Sequence, residues 1–166
     1  MNRRFLLAAG LAALATPTLT TGARAIESTA GLQVNEHGWR PAAAPAGAVG
    51  WDVLASTRGV NKDVGGFTML APVFLAAVRA LNGRTVRVPG YMYPMSTTPR
   101  QTRYLLMAYP PSCPFCLEIG PAYFVEVRPS APEATTQDAI LVEGKLTLLQ
   151  EDADNLFYRL ADARRV

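Results

Sequence analysis

Cys113 and Cys116, the two cysteines of this chain, stand three apart in the stretch YPPSCPFCLEIGP, Tyr109 to Pro121, with prolines on both sides. Two thiols separated by two residues support three chemistries. As thiolates they can face one metal ion and supply half of a tetrahedral shell. As a dithiol they can exchange with a disulfide, and once oxidised they close a small ring that constrains the loop. For a metal, the candidates for the remaining ligands are Glu118 in the same loop, the thioethers of Met92 and Met95, and His37, the single histidine. Sulfur partners favour Cu(I), whereas imidazole or carboxylate favours Zn(II). Methionines also fill irregular core gaps, so Met92 and Met95 have a second reading as packing residues, and His37 has one as a solvated residue of a leader.

The redox reading needs an activated thiolate, and in Cys-Pro-x-Cys oxidases the first cysteine caps a helix whose dipole lowers its pKa. Only Leu117, Glu118 and Ile119 separate Cys116 from Gly120-Pro121, which is too short a span for such a helix. A purely structural disulfide across so short a ring removes little chain entropy. Metal binding therefore leads, with thiol-disulfide exchange and a protein-binding module with a structural disulfide as its alternatives. No catalytic residues are assigned: His37 is the sole histidine, and neither Gly-x-Ser-x-Gly nor His-Glu-x-x-His occurs.

The elements that must position the loop are mostly extended. From Phe67, the residues Phe67, Leu70, Phe74, Ala77, Val78 and Leu81 recur at three- and four-residue intervals. That spacing predicts one amphipathic helix, with Pro72 near its first turn and Asn82-Gly83 as its stop. WDVLAST, from Trp51, gives a short helical turn. After Gly83 the period becomes two. Runs from Arg84 across a Pro89-Gly90 corner, Arg103 to Tyr109, Tyr123 to Arg128, Ile140 to Leu149 and Leu156 to Ala163 read as strands. The last also fits a helix capped by Asp154. The pattern predicts a mainly β fold: a small OB-like β-barrel of about five strands, preceded by one amphipathic helix.

The chain opens with Arg3-Arg4, an apolar run from Phe5 to Ala15, and small residues at Ala23 and Ala25. This is the pattern of a cleavable export signal over residues 1–25, twin-arginine in character, that delivers the chain to the periplasm after cleavage behind Ala25. Residues 26–50 read as a flexible Ala/Pro/Gly leader, and residues 51–166 as a single domain. No membrane span is expected in the mature chain. Taking the three arginines of residues 1–25 from the 16 basic residues leaves 13, equal to the 13 acids. A neutral mature chain gives no electrostatic footprint for nucleic acid.

The stretch from Leu81 to Val127 resembles a bacterial family of small exported proteins classed as a domain of unknown function. Leu81, Gly83, Val86, Gly90, Tyr91, Met92 and Pro94 match its Leu-Asp-Gly-Lys-x-Val-x-(Ile/Leu)-x-Gly-(Phe/Tyr)-Met-x-Pro segment. In the family a Cys-x-His pair and a proline run follow. Here Cys113 falls on the family cysteine, Phe115 takes the histidine position, and Cys116 comes one residue later. Cys-x-His and Cys-x-x-Cys are both pairs of soft metal ligands, so the resemblance implies metal binding, with a periplasmic or inner-membrane partner such as a transporter component. It covers under a third of the chain and supplies no reaction.

If export follows the twin-arginine route, Arg3-Arg4→Lys-Lys will slow appearance of the chain in the periplasm, and the mature chain will begin at Ile26. Twin-arginine recognition reads the guanidinium pair, whereas a general secretion signal needs only positive charge. Pulse-chase fractionation with N-terminal sequencing checks both, and unchanged export of the double-lysine chain rejects the route.

Overall fold

The computed structural model describes residue 38, residues 40–111 and residues 120–166. Trp39, residues 1–37, which include the expected export signal and His37, and residues 112–119 lie outside that description.

The period-two run after Gly83 forms β3 (Thr85–Pro94), with Val86, Val88 and Met92 buried and Thr85 and Arg87 exposed. This strand changes partner along its length. Thr85 to Tyr91 pair with β8 (Ala139–Leu148), and Tyr91 to Pro94 pair with β5 (Tyr104–Met107), both antiparallel. The switch sits at the expected corner. A Cβ added at Gly90 would lie 2.7 Å from Leu106 Cγ and 2.7 Å from the Met107 carbonyl oxygen, so the backbones cross where only glycine fits. β5 then pairs antiparallel with β6 (Phe124–Pro129), β6 runs parallel to β9 (Tyr158–Arg165), and β9 returns antiparallel to β8, closing the barrel. In chain order the five barrel strands stand 1-2-3-5-4, the connectivity of an OB-type barrel. Two short strands, β4 (Arg100–Gln101) and β7 (Glu133–Ala134), pair with each other outside it.

Each of the five extended runs read from the sequence supplies one barrel strand. The run near Leu156 is a strand because Tyr158 and Leu160 alternate into the core, both wholly buried. Asp162 at φ 50° and a register shift opposite Glu143 to Lys145 mark a bulge that lets β9 coil with the barrel.

The amphipathic helix over Phe67 to Leu81 is not formed. Phe67–Val73 is a strand, β2, paired antiparallel with β1 (Arg58–Val64) in a two-stranded ribbon, and the helix shrinks to α2 (Ala76–Arg79). The cause is the Gly65-Gly66 turn. Both glycines have positive φ, 63° and 86°, the geometry of a two-residue hairpin turn that L side chains resist. Asp63 accepts the Gly66 N–H at 3.0 Å and fixes the turn further. The helical spacing is real only from Phe74 onward, where Phe74 and Val78 are buried; Phe67 is 77% exposed. Among the described residues no helix is long and apolar enough to cross a membrane.

α1 (Trp51–Leu54), the expected short helical turn, is pinned to the barrel by two buried bonds. Trp51 Nε1 donates to the Pro89 carbonyl at 2.7 Å, and the Tyr158 hydroxyl donates to the Leu54 carbonyl at 2.7 Å. Burial raises the Tyr158 hydroxyl to about 12, against a bond from Thr57 that lowers it, so Tyr158 stays a neutral donor. Phe74 stacks against Tyr158 at 5.8 Å and joins the same core. The described part of the Ala/Pro/Gly segment lies along the barrel: the Ala42 N–H donates to Ala108 O at 2.8 Å and the Val49 N–H to Arg87 O at 2.8 Å.

Gly90→Ala should lower stability by about 2 kcal/mol, because the new methyl meets backbone and a packed leucine. Gly120→Ala should cost almost nothing, since no described residue lies within 4 Å of its added Cβ. Urea denaturation of both variants is the check, and equal midpoints would remove the corner assignment.

Candidate functional site

Cys113, Cys116 and Glu118 lie outside the described residues, but the chain on both sides of them is firmly held. Met107 pairs with Phe124 at the end of the β5–β6 ladder, and one further bond, Ala108 N–H to Tyr123 O at 2.9 Å, extends it. Beyond it, Tyr109 is buried and its ring stands 6.0 Å from that of Tyr123. Burial raises the Tyr109 hydroxyl, and the neighbouring Tyr123 adds to that rise. On the return side a single 3-10 turn, Pro121–Tyr123, closes with the Tyr123 N–H on Gly120 O at 3.0 Å. The cysteine stretch therefore leaves and re-enters the barrel between two hydrogen-bonded neighbours.

Met92 is 2% exposed and packs in the main core opposite Leu106, which accounts for a methionine there as a filling residue. Met95 is exposed at the end of β3. The loop that carries it is organised by buried Gln101, whose amide donates to the carbonyls of Ser96 and Thr98 and accepts from the Ser96 N–H.

β5 and β6 are the second and third barrel strands, the face on which OB-type barrels bind ligands between their first and last loops. That face carries a second apolar cluster, Leu105, Met107, Phe124 and Leu156, separate from the barrel interior. A cleft of about 760 Å³ runs between it and the β1–β2 ribbon. Leu105, Phe124 and Leu156 form its floor, Asn61, Met69 and Leu70 its ribbon wall, and Met95, Arg103, Asp154 and Asn155 its ends. Gly120 and Pro121, immediately after the cysteine stretch, line it too. The volume falls within the range of small-molecule sites. Asn155, at φ 55°, bridges cleft and ribbon by accepting the Leu70 N–H at 3.2 Å.

The charges of this face are already engaged. Glu126, wholly buried, accepts from Arg103 Nε, Arg159 Nε and, at 3.3 Å, Arg128 Nη2. Arg103 also donates to Asp154 at 2.9 Å and Arg159 to Asp152 at 3.3 Å. Burial alone would push the Glu126 carboxyl up; the bonds from Arg159 and Arg103 outweigh it and hold the group below its ordinary 4.5. No buried side-chain nitrogen or oxygen among the described residues lacks a partner, and no three of their His, Cys, Asp or Glu side chains form a metal-sized group. Neither the cleft nor this network was read from the sequence. The alternation Phe-Val-Glu-Val-Arg from Phe124 puts Glu126 and Arg128 on the outer face, yet nothing local shows that Arg103 and Arg159 arrive over them.

No protein family profile and no curated protein matches the chain. Among solved structures it is similar to a DUF3299 family protein from Pseudomonas aeruginosa, a bacterial domain of unknown function, with 18% identity and a TM-score of 0.44 over 57% of this chain and 67% of that one.

Without the Glu126 carboxylate, Arg103 and Arg159 keep only Asp154 and Asp152 as partners, so Glu126→Gln should cost about 2 kcal/mol near neutral pH. Because the folded pKa lies below the unfolded value, the stabilisation is complete above about pH 4.5 and fades as the pH falls through the folded value. The acid limb of a stability-against-pH curve should therefore be shallower in Glu126→Gln than in the native chain. Urea titrations at several pH values test both statements, and unchanged stability at neutral pH would show the network to be dispensable.

Proposed function

We propose that the chain is an exported periplasmic accessory protein that binds one transition-metal ion, Zn(II) or Cu(I), through Cys113 and Cys116 and passes it to a protein partner. What carries the reading is the anchoring of the cysteine stretch. Its two ends spring from adjacent strands held by the β5–β6 ladder and by the Ala108–Tyr123 bond, and restraint of this kind lowers the ordering cost of closing a chelate. The described carboxylates of the same face are spent on arginines, so the reading rests on the two thiols as donors.

Two thiolates leave two coordination positions of a tetrahedral ion open. Glu118 in the same loop is a candidate for one. An incomplete protein shell suits transfer, since a partner can add its ligands before these two let go, whereas a structural zinc site closes all four. The partner is a periplasmic or inner-membrane protein, and the cleft beside the loop is where its contact surface would begin.

Purified under reduction without oxygen, the chain should bind one Zn(II) or Cu(I), and Cys113→Ser or Cys116→Ser should each abolish that binding while the melting temperature of the metal-free protein stays put. Turnover of a disulfide substrate with a Cys113 thiolate titrating well below the ordinary value of about 8.5 would instead assign thiol-disulfide exchange. Binding no tighter than that of the double serine variant removes the metal reading.

A further inference from the structure

Of the seven large apolar side chains exposed among the described residues, five, Val60, Val64, Phe67, Val73 and Leu75, fall between residues 60 and 75. The ribbon register explains why this is a surface and not a scatter. Arg58 pairs with Val73, Val60 with Ala71, Lys62 with Met69, which is half-buried and also borders the cleft, and Val64 with Phe67, and side chains two apart in a strand share a face. The other face, with Gly59, Asn61, Leu70 and Pro72, turns toward the barrel, where Pro72 is buried and Leu70 packs on the core. One side of the ribbon is thus an apolar strip about 20 Å long. Its far end is the Gly65-Gly66 turn, with no side chain to hydrate and Val64 and Phe67 on either side.

We propose that this strip docks on an anionic lipid surface, with the turn and Phe67 entering the headgroup region. Charge decides between occupants. The strip carries two cations, Arg58 and Lys62, and no acid; the one acid of the ribbon, Asp63, lies on the opposite face and is bound to the Gly66 N–H. Arg58 forms no ion pair among the described residues. Lys62 meets Glu151 across the ribbon's edge at 2.5 Å, but both side chains are largely solvent-exposed, and such a pair is readily exchanged for a headgroup phosphate. Packing the strip against a second copy would bury Arg58 without an acid partner, since the one acid that reaches the strip, Glu151, is taken by Lys62. A lipid interface answers both halves of the strip: it takes up apolar area, favours aromatic rings at headgroup depth, and adds attraction for each cation. The neutral charge balance beyond residue 25 gives no hint of this, because the register, not the composition, sorts the charges. The inference is independent of the metal reading.

The test is flotation of the chain purified from the periplasm with vesicles of phosphatidylcholine alone or with about one third phosphatidylglycerol. The native chain should float with the anionic vesicles and only weakly with the neutral ones. Phe67→Ser should reduce partition about tenfold, and Arg58→Gln about fivefold at low salt, with melting temperatures unchanged because both side chains are exposed. All residues outside the ribbon are common to the three proteins, so the differences belong to the ribbon. Equal partition of native and Phe67→Ser chains, or no native partition on either vesicle, overturns the proposal. So does a native dimer in sedimentation that Phe67→Ser makes monomeric, which would give the strip to a second copy.

Discussion

One strand with two neighbours organises this molecule. β3 leaves β8 and joins β5 at Tyr91, and the change is possible only because Gly90 lets its backbone pass within contact distance of Leu106 and Met107. Closure follows, since a sheet whose first strand pairs on both sides can return on itself, and a closed barrel offers no strand edge to a stray partner. It also sets β5 beside β6, and with that the two ends of the cysteine stretch. Contacts with other molecules are left to what is appended to the barrel: a loop, a cleft and a ribbon.

The last strand completes the ring under electrostatic guidance. β9 carries Arg159, Arg164 and Arg165, and each meets a glutamate from another element: Glu126 of β6, Glu143 of β8 and Glu133 of β7. Each glutamate has a second donor from elsewhere, respectively Arg103, Arg87 and the Tyr104 hydroxyl at 2.8 Å. Arg87 and Arg164 are both largely exposed, so their pairs with Glu143 add little to stability. Glu126 is the one that matters energetically, because a wholly buried carboxylate without its arginines is costly. A slip of β9 by one residue would turn Arg159 into the barrel and Leu160 out of it. The buried glutamate therefore favours the parallel β6–β9 register that hydrophobic alternation also selects.

The barrel was legible in the sequence because its strands read as short alternating or continuously apolar runs bounded by turn residues; Arg84 to Val88 and Tyr123 to Arg128 are the plainest alternating cases, while Tyr104 to Met107 is apolar and buried throughout. The same reading failed at Phe67. Spacings of three and four among Phe67, Leu70 and Phe74 are compatible with a helix, but they also arise when a strand runs into a short helix, as β2 does into α2. The deciding signal was Gly65-Gly66, a two-residue hairpin turn between Val-rich flanks. The cysteine pair was legible as chemistry through residue type and spacing. The Glu126 network and the cleft were not, because Arg103, Glu126, Asp154 and Arg159 lie far apart in the chain and meet only through barrel closure.

The ribbon shows how one element can serve the fold and a surface at once. A two-stranded hairpin is marginal on its own, and this one is held along one face by Leu70 and Pro72 and along one edge by the bond from Leu70 N–H to Asn155. Those attachments use residues 70 and 72. The intervening residues, 60, 64, 67 and 73, are released from any duty to the core, and they are apolar nonetheless. An exposed strip of valine and phenylalanine invites aggregation and gives the isolated domain nothing in return. A period-two element thus separates its two roles residue by residue: the inward set secures the ribbon to the barrel, and the outward set has a physical reason to be apolar only where something other than water covers it.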